Sequence, residues 1–497
     1  MRPITALAFD NAYARLDPAF YDVVDPTPVP GARLLAFNPE AAHLIDLDPA
    51  EALRPEVAEY LSGGKRIPGS EPIAQAYAGH QFGVWVARLG DGRAFLLGQV
   101  TNARGEVWDL HLKGGGETRF SRRGDGRAVL RSTIREYLGS EALHGLGIPT
   151  TRALAIVGSD LPVQREIVEQ GATLLRLAPS HVRFGTFEYF ASRGERDRIR
   201  QLVEHVVARH GPLLGLEPSE PAPFLPFFRA VVSRTATLMA HWTAEGFAHG
   251  VMNTDNMSVL GITLDYGPYG WLERYDPGFI CNHTDTEGRY AFDQQPAVAL
   301  WNLTRFGEAL LVAAGEPTEA WIEALEGYRA HFAAEYARMM RAKLGLLGER
   351  DEDASLLRDL LALMRADRVD YTVFFRRLAE FRAWPPDVVQ PAGAEPGALF
   401  DDREGWRAWA ARYAERLREV KSNDTERATR MRQVNPAYVL RNWIAQEAIE
   451  RAAAGDAAFI EELRRLFANP YTERQGMDRY AAPAPDGSDE IVVSCSS

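Results

Sequence analysis

Residues 249 to 267, HGVMNTDNMSVLGITLDYG, constrain the chain more than any other stretch. They hold a histidine, two closely placed acids (Asp255 and Asp265) and two amides (Asn253 and Asn256). Between Asn256 and Asp265 runs the apolar segment Met257 to Leu264, read as a short strand entering or leaving a site. Polar loop, short strand, then a carboxylate before Tyr266 and Gly267 sets oxygen donors at both ends of one element. Magnesium, a hard cation, wants such donors.

The chain has 497 residues, 46% hydrophobic and 25% charged, which suits two or three domains or one large two-lobed body. A net charge of -12 argues against nucleic-acid binding. Locally the balance reverses: from Arg88 to Arg135 there are ten Arg or Lys against five acids. That segment fits either a phosphate-bearing ligand or a solvated basic face. Two cysteines, Cys281 and Cys495, exclude a disulfide scaffold and a four-cysteine zinc site. The first twenty residues carry acids and Pro where a signal peptide needs an apolar core, and no apolar run reaches membrane-spanning length. The expectation is a soluble, cytoplasmic protein.

Residues 1 to 70 read as an N-terminal extension, with a short helical piece near 40 to 62. Phe82 to Leu89, Ala94 to Val100 and Val107 to Lys113 read as a three-stranded meander. Its first turn is Gly90-Asp91-Gly92-Arg93, because Asp-Gly supplies positive φ at little steric cost. In the third strand Trp108, Leu110 and Leu112 alternate with Asp109, His111 and Lys113, so Lys113 lies on the polar face. The loop GGGETRFSRRGDGRA, residues 114 to 128, offers free backbone N–H groups beside cations, a phosphate cradle or merely a flexible basic loop. A helix over about Leu130 to His144 carries Glu136, either a surface residue or a partner for Lys113. Two strands are expected at Ala153 to Val157 and Val163 to Glu169. Arg176, in the apolar run LLRLA, needs a carboxylate or a phosphate to offset its burial, as Arg183 does seven residues on. Helices are expected at 194 to 210 and 227 to 246. Beyond residue 295 come helices at 296 to 315, 318 to 343, 354 to 382, 403 to 420, 437 to 453 and 456 to 467, with a Pro-rich break at 385 to 397.

Glycine turn, lysine, helix with a glutamate, apolar helix, polar loop and Asp-Tyr-Gly follow the order of parts in the protein-kinase fold. The glycines let backbone approach a nucleotide. Lys113 would meet phosphate oxygens with Glu136 holding it, and Asn256 and Asp265 would bind Mg2+. The catalytic loop departs from that pattern. A kinase keeps its base, the Asp of H-x-D, five residues before the metal-binding Asn. That position is Val251, which cannot accept a proton. Asp255 could act as base from another direction, or could be an Asx-turn residue.

The chain resembles the selenoprotein O family, pseudokinases that act as protein adenylyltransferases. The stretches that carry the resemblance are AYAGHQFGVWVARLGDGRA, WDLHLKGGGETRFSRRGDGRAVLRSTIREYLGSEA, LLRLAPSHVRFGTFE, HGVMNTDNMSVLGITLDYGP, PGFICNHTDTEGRYAFDQQP and the terminal CSS. The resemblance covers nearly the whole length. It implies an α+β, kinase-like, two-lobed fold: an N-terminal extension (1–70), an N-lobe (71–190), a C-lobe (191–345) and a helical C-terminal region (346–497). It implies ATP bound in flipped orientation and AMP transferred to Ser, Thr or Tyr hydroxyls of proteins, with release of pyrophosphate. Gly90, Gly92, Arg93, Lys113, Asp125, Gly126, Arg176 and Arg183 would bind the nucleotide, Glu136 would position Lys113, and Asp255 would be the base. Asn256 and Asp265 would bind Mg2+, with Mn2+ as a substitute. Cys281 and Cys495, the latter where some members carry selenocysteine, would form a redox disulfide. The expected partners are ATP and proteins, on a monomer without nucleic acid or membrane. The competing readings are γ-phosphoryl transfer and a non-catalytic nucleotide-binding pseudokinase.

Overall fold

The computed structural model describes residues 1–383, 396–488, 491 and 493; Cys495 and most of the Pro-rich break lie outside them. Twelve strands are described: β1 (Tyr21–Val23), β2 (Arg33–Phe37), β3 (Ile73–Gln75), β4 (Gly79–Gln81), β5 (Val84–Val86), β6 (Ala94–Thr101), β7 (Val107–Lys113), β8 (Ala128–Val129), β9 (Arg152–Gln164), β10 (Val168–Ala178), β11 (Phe247–Ala248) and β12 (Gly270–Trp271). Eight of them form one sheet in the order β1-β3-β6-β7-β10-β9-β2, with β8 set against β10. Residues 1 to 70 are thus part of the sheet, since β1 and β2 are its two ends.

Alternation along the strands assigns the two faces. Leu110 and Leu112 of β7 and Leu175 and Leu177 of β10 point to a core built with Ile45, Leu47, Val57 and Leu61 of the N-terminal segment. His111, Lys113 and Arg176 therefore project from the opposite face. Register brings them together, because Arg176 lies across from His111, and Leu174 from Lys113.

The helices are α1 (Pro39–His43), α2 (Val57–Leu61), α3 (Leu130–Gly145), α4 (Phe184–Ala191), α5 (Arg196–Leu214), α6 (Phe224–Ala244), α7 (Gln295–Leu311), α8 (Thr318–Lys343), α9 (Asp353–Ala366), α10 (Tyr371–Leu378), α11 (Arg403–Glu419), α12 (Asp424–Arg432), α13 (Asn442–Ala453), α14 (Ala458–Phe467) and α15 (Asp478–Ala481). Helix α3 packs on β9 and β10 and is covered from behind by α13 and α14. Covered on both sides, it buries Glu136 as well as Ile134, Tyr137 and Leu138. A second core joins α8 to α12 through Met340, Leu360, Phe374, Trp409 and Met431. Among the described residues no helix is long and apolar enough to cross a membrane.

Four local expectations are corrected. Phe82 to Leu89 is not the first strand of a meander: β5 turns back on β4, and β6 pairs β3 and β7 instead. The reason is the Phe82-Gly83 turn, where both residues take positive φ. Val163 to Glu169 is not one strand but the end of β9, a turn over residues 165 to 167 with Ile167 exposed, and the start of β10. Met257 to Leu264 makes only isolated bridges, Thr150 to Thr263, Arg183 to Ser258 and Met257 to Thr263, so no ladder strand leads to Asp265. The helix expected over 354 to 382 is two, because Asp370 caps a new start at α10 by accepting from Val373 N. Helix α12 was not anticipated.

Candidate active site

The site lies where β7, β10 and α3 meet the loop of residues 249 to 267. Lys113, at the end of β7, is ion-paired with Glu136 of α3. The other oxygen of Glu136 accepts from Arg176 Nη1 at 2.7 Å. Arg176 Nη1 also donates to Asp265 Oδ1 at 2.5 Å, and Arg183 Nη1 donates to Asp265 Oδ2 at 2.5 Å. Three cations and two carboxylates thus form one connected cluster. One net positive charge remains on it, suited to an anionic ligand. The cluster is reachable from solvent: 22% of the Asp265 side chain and 10% of Lys113 stay exposed.

Electrostatics follows from this packing. Burial raises the Asp265 pKa, but Arg176, Arg183 and Lys113 outweigh it and hold the carboxyl well below the usual range. Burial lowers the Lys113 ammonium, Glu136 opposes that, and nearby Arg93 and Arg176 add to it. Asp255 behaves differently. Burial pushes it up to about 7, against the pull of Arg183 and of a hydrogen bond from Gln81. Its Oδ1 is buried with no hydrogen-bond partner, while Oδ2 accepts from Gln81 Nε2 at 3.3 Å.

The loop is fixed from several sides. His249 stacks on Trp242, and its Nε2 meets Leu264 O at 2.9 Å. Asn256 Nδ2 donates to the carbonyl of Val251 at 2.9 Å. The residue that cannot serve as base therefore still orients the amide. Asp265 takes φ 54°, a sparsely populated conformation that the two arginines hold in place. Asn253 Oδ1 accepts from Phe82 N at 3.1 Å and from Tyr290 OH at 2.7 Å.

The remaining expected residues sit around this cluster. Gly90 has φ 77°, and a Cβ there would lie 2.3 Å from the Phe120 ring. Gly92 O accepts the Ser121 hydroxyl, so the glycine turn is clasped by the basic loop. Gly126 O accepts from Gly116 N at 3.0 Å, closing the base of that loop. Asp125 pairs with Arg165 at 2.8 Å and accepts Arg127 N, so its carboxylate is engaged by arginines other than those of the Lys113 cluster. Cys281 is buried, its thiol 3.5 Å from Ala248 O. Sequence reasoning did not single out Gln81, Tyr290, Asp91 or His111. Arg176 Nε donates to His111 Nδ1 at 3.2 Å, and His111 Nε2 meets Asp91 Oδ2 at 3.4 Å. Period two had already placed His111 on the face of Lys113; nothing comparable marked Gln81.

The donor set suits a hard cation. Asp265 is held ionised and each of its oxygens keeps a second lone pair, while Asn256 offers an amide oxygen once its nitrogen is engaged. No cluster of three or more His, Cys, Asp or Glu that could hold a metal occurs among the described residues. Any ion here would complete its shell with water and ligand oxygens.

Comparison with known proteins agrees with this arrangement. The family model described as protein adenylyltransferase SelO matches residues 3–468. The chain is 53% identical to the protein nucleotidyltransferase YdiU of Myxococcus xanthus, with both chains covered in full. It is 52% identical to that of Thioalkalivibrio sulfidiphilus and 51% to that of Thiobacillus denitrificans, again over both full lengths. With a model match over nearly all of its length and relatives aligned end to end, the chain belongs to the SelO family of protein adenylyltransferases.

Proposed function

We propose that this chain uses ATP to place AMP on Ser, Thr or Tyr hydroxyls of other proteins, releasing pyrophosphate. The observation that carries the reading is the buried, partnerless Oδ1 of Asp255 beside the cationic cluster of Lys113, Arg176 and Arg183. An acceptor hydroxyl hydrogen-bonded to the Asp255 carboxylate gives up its proton to it as its oxygen bonds to the α-phosphorus. The bond from that phosphorus to the pyrophosphate oxygen breaks. The three cations neutralise the charge that accumulates on the leaving group. Asn256 and Asp265 would hold Mg2+, which would screen phosphate charge when bound. Gly90, Gly92, Arg93, Asp125 and Gly126 are assigned to the nucleotide with the basic loop.

The remaining parts of the reading are a kinase-like division into lobes near residues 70, 190 and 345, a cytoplasmic monomer, and redox control through Cys281 and Cys495. The last has support from the tail: His283 N donates to Val493 O at 3.1 Å, two residues along the chain from each cysteine. Equal activity with and without reductant, in the native chain and in Cys495→Ser, would remove redox control from the proposal.

Labelled ATP tests the central claim. Label at the α-phosphate should enter protein and label at the γ-phosphate should not. Asp255→Ala and Asp265→Ala should each abolish incorporation. Transfer of γ-label would instead indicate a kinase. α-Label incorporation undiminished in both variants would show that the assigned residues do not carry the reaction.

A further inference from the structure

We propose that the β4–β5 hairpin, Gly79–Val86, aims the Asp255 carboxylate, with Gln81 as its positioning residue. The inference rests on Asp255 being the base, as proposed above. Three consecutive hairpin residues hold three consecutive loop residues. His80 N donates to Thr254 Oγ1 at 2.8 Å, Gln81 Nε2 to Asp255 Oδ2 at 3.3 Å, and Phe82 N to Asn253 Oδ1 at 3.1 Å. Gly79 closes the contact: a Cβ there would lie 2.9 Å from both Asp255 Oδ1 and Thr254 Oγ1. The missing side chain lets the hairpin backbone approach the carboxylate this closely.

Two further features show that the hairpin is built for this contact. Phe82 takes φ 50°, an outlier for a bulky side chain. Its N–H, which also meets Tyr290 OH at 3.0 Å, holds that conformation against the loop. At the other side His80 meets Glu188 Oε1 of α4 at 2.6 Å and packs between Trp85 and Trp301. The hairpin is thus anchored independently of the loop it grips. By donating to Oδ2, Gln81 fixes the plane of the carboxylate. An acceptor hydroxyl then meets the carboxylate in one orientation, and orientation of this kind commonly decides the rate of the transfer step.

The test uses the full chain with α-labelled ATP, a peptide pool carrying Ser, Thr and Tyr as acceptor, and pyrophosphate release as a second readout. Gln81→Ala should lower kcat about tenfold or more while the KM for ATP stays within twofold. Gln81→His, whose Nε2–H reaches a similar point, should recover most of the loss. Gln81→Glu, which has no N–H to give, should not. Gly79→Ala should lower kcat in the same way, with ATP affinity retained in a direct titration. Thermal midpoints identify any variant that fails by misfolding, and Gln81→Ala removes too little for that outcome. A kcat for Gln81→Ala within twofold of the native chain overturns the inference, as does a rise in KM for ATP that accounts for the whole defect. A native chain that transfers no α-label would overturn the underlying reading instead, so the two failures are distinguishable.

Discussion

Glu136 is the residue on which the cluster turns. One oxygen holds Lys113 and the other holds Arg176, and the carboxylate is almost fully buried. Glu136→Gln keeps the shape and removes the charge, leaving two buried cations with a neutral partner. Breaking a buried pair from one side costs about 3 kcal/mol or more. We expect urea unfolding of Glu136→Gln to lose stability on that scale, and ATP titration to show weakened binding as Lys113 loses its orientation. A variant as stable as the native chain would mean that Asp265 alone neutralises both cations. At this scale the sequence was most informative where chemistry is costly to bury. An arginine inside LLRLA had to have an anionic partner, and it has two. It was least informative for Gln81 and Tyr290, which are ordinary polar residues until tertiary structure brings them to the loop.

The basic loop between β7 and β8 is an element whose shape depends on glycine. Gly114, Gly116 and Gly126 all take positive φ, and a Cβ on Gly126 would lie 2.0 Å from Gly116 O. Gly126→Ala therefore cannot keep both the backbone conformation and the Gly116 contact. The loop projects from the sheet, and its arginines 122 and 123 are exposed. The expected outcome is a several-fold rise in KM for ATP with a thermal midpoint shifted by only a few degrees. An unchanged KM would take the loop out of the nucleotide site. Elements of this kind also explain which parts of the fold could be read beforehand. Helix α3 and strands β6 and β7 follow from periodicity and their flanking glycines. The β4–β5 hairpin does not, because its turn uses Phe82 at positive φ, which local propensity disfavours and the Asn253 and Tyr290 contacts impose. Met257 to Leu264 has the composition of a strand but no neighbour offers it a ladder, so Asp265 is placed by its arginines rather than by a strand end.

Across the whole molecule, the order of parts along the chain was legible, whereas the mixing of distant segments was not. Nothing local shows that residues 21 to 37 contribute both ends of the main sheet, or that α13 and α14 close over α3 at Arg135 and Tyr137. Extensive burial of this kind has a measurable consequence in acid. His181 and His205 are each held at about 3, and His210 at about 4, below the ordinary 6.5. In all three burial is the main cause. For His181 the neighbouring His111 adds to it, and a hydrogen bond with Asp109 opposes it. For His205 the additions come from His210, Arg209 and Arg15 against Asp10, and for His210 from Arg209. In each case the folded chain keeps the ring neutral while the unfolded chain protonates it. The unfolded state therefore binds more protons below pH 6.5, and stability present above that value is lost as pH falls towards 4 and 3. By pH 5 each ring should cost about 2 kcal/mol. Asp255, pushed up to about 7, and Asp91, pushed up to about 6, act in the opposite sense, since each gives up a proton on unfolding at pH 5. Calorimetry in buffers of different ionisation enthalpy should therefore read the histidine part as a difference between variants, roughly one proton taken up per buried ring on unfolding at pH 5. Replacing His205 with Leu should lower that uptake by one proton while leaving ATP turnover at pH 7 intact, because His205 packs against Tyr13 and contacts none of the site residues. Equal proton uptake by the native chain and the His205 variant would mean that this ring is protonated in the folded chain and that its burial is less complete than its packing implies.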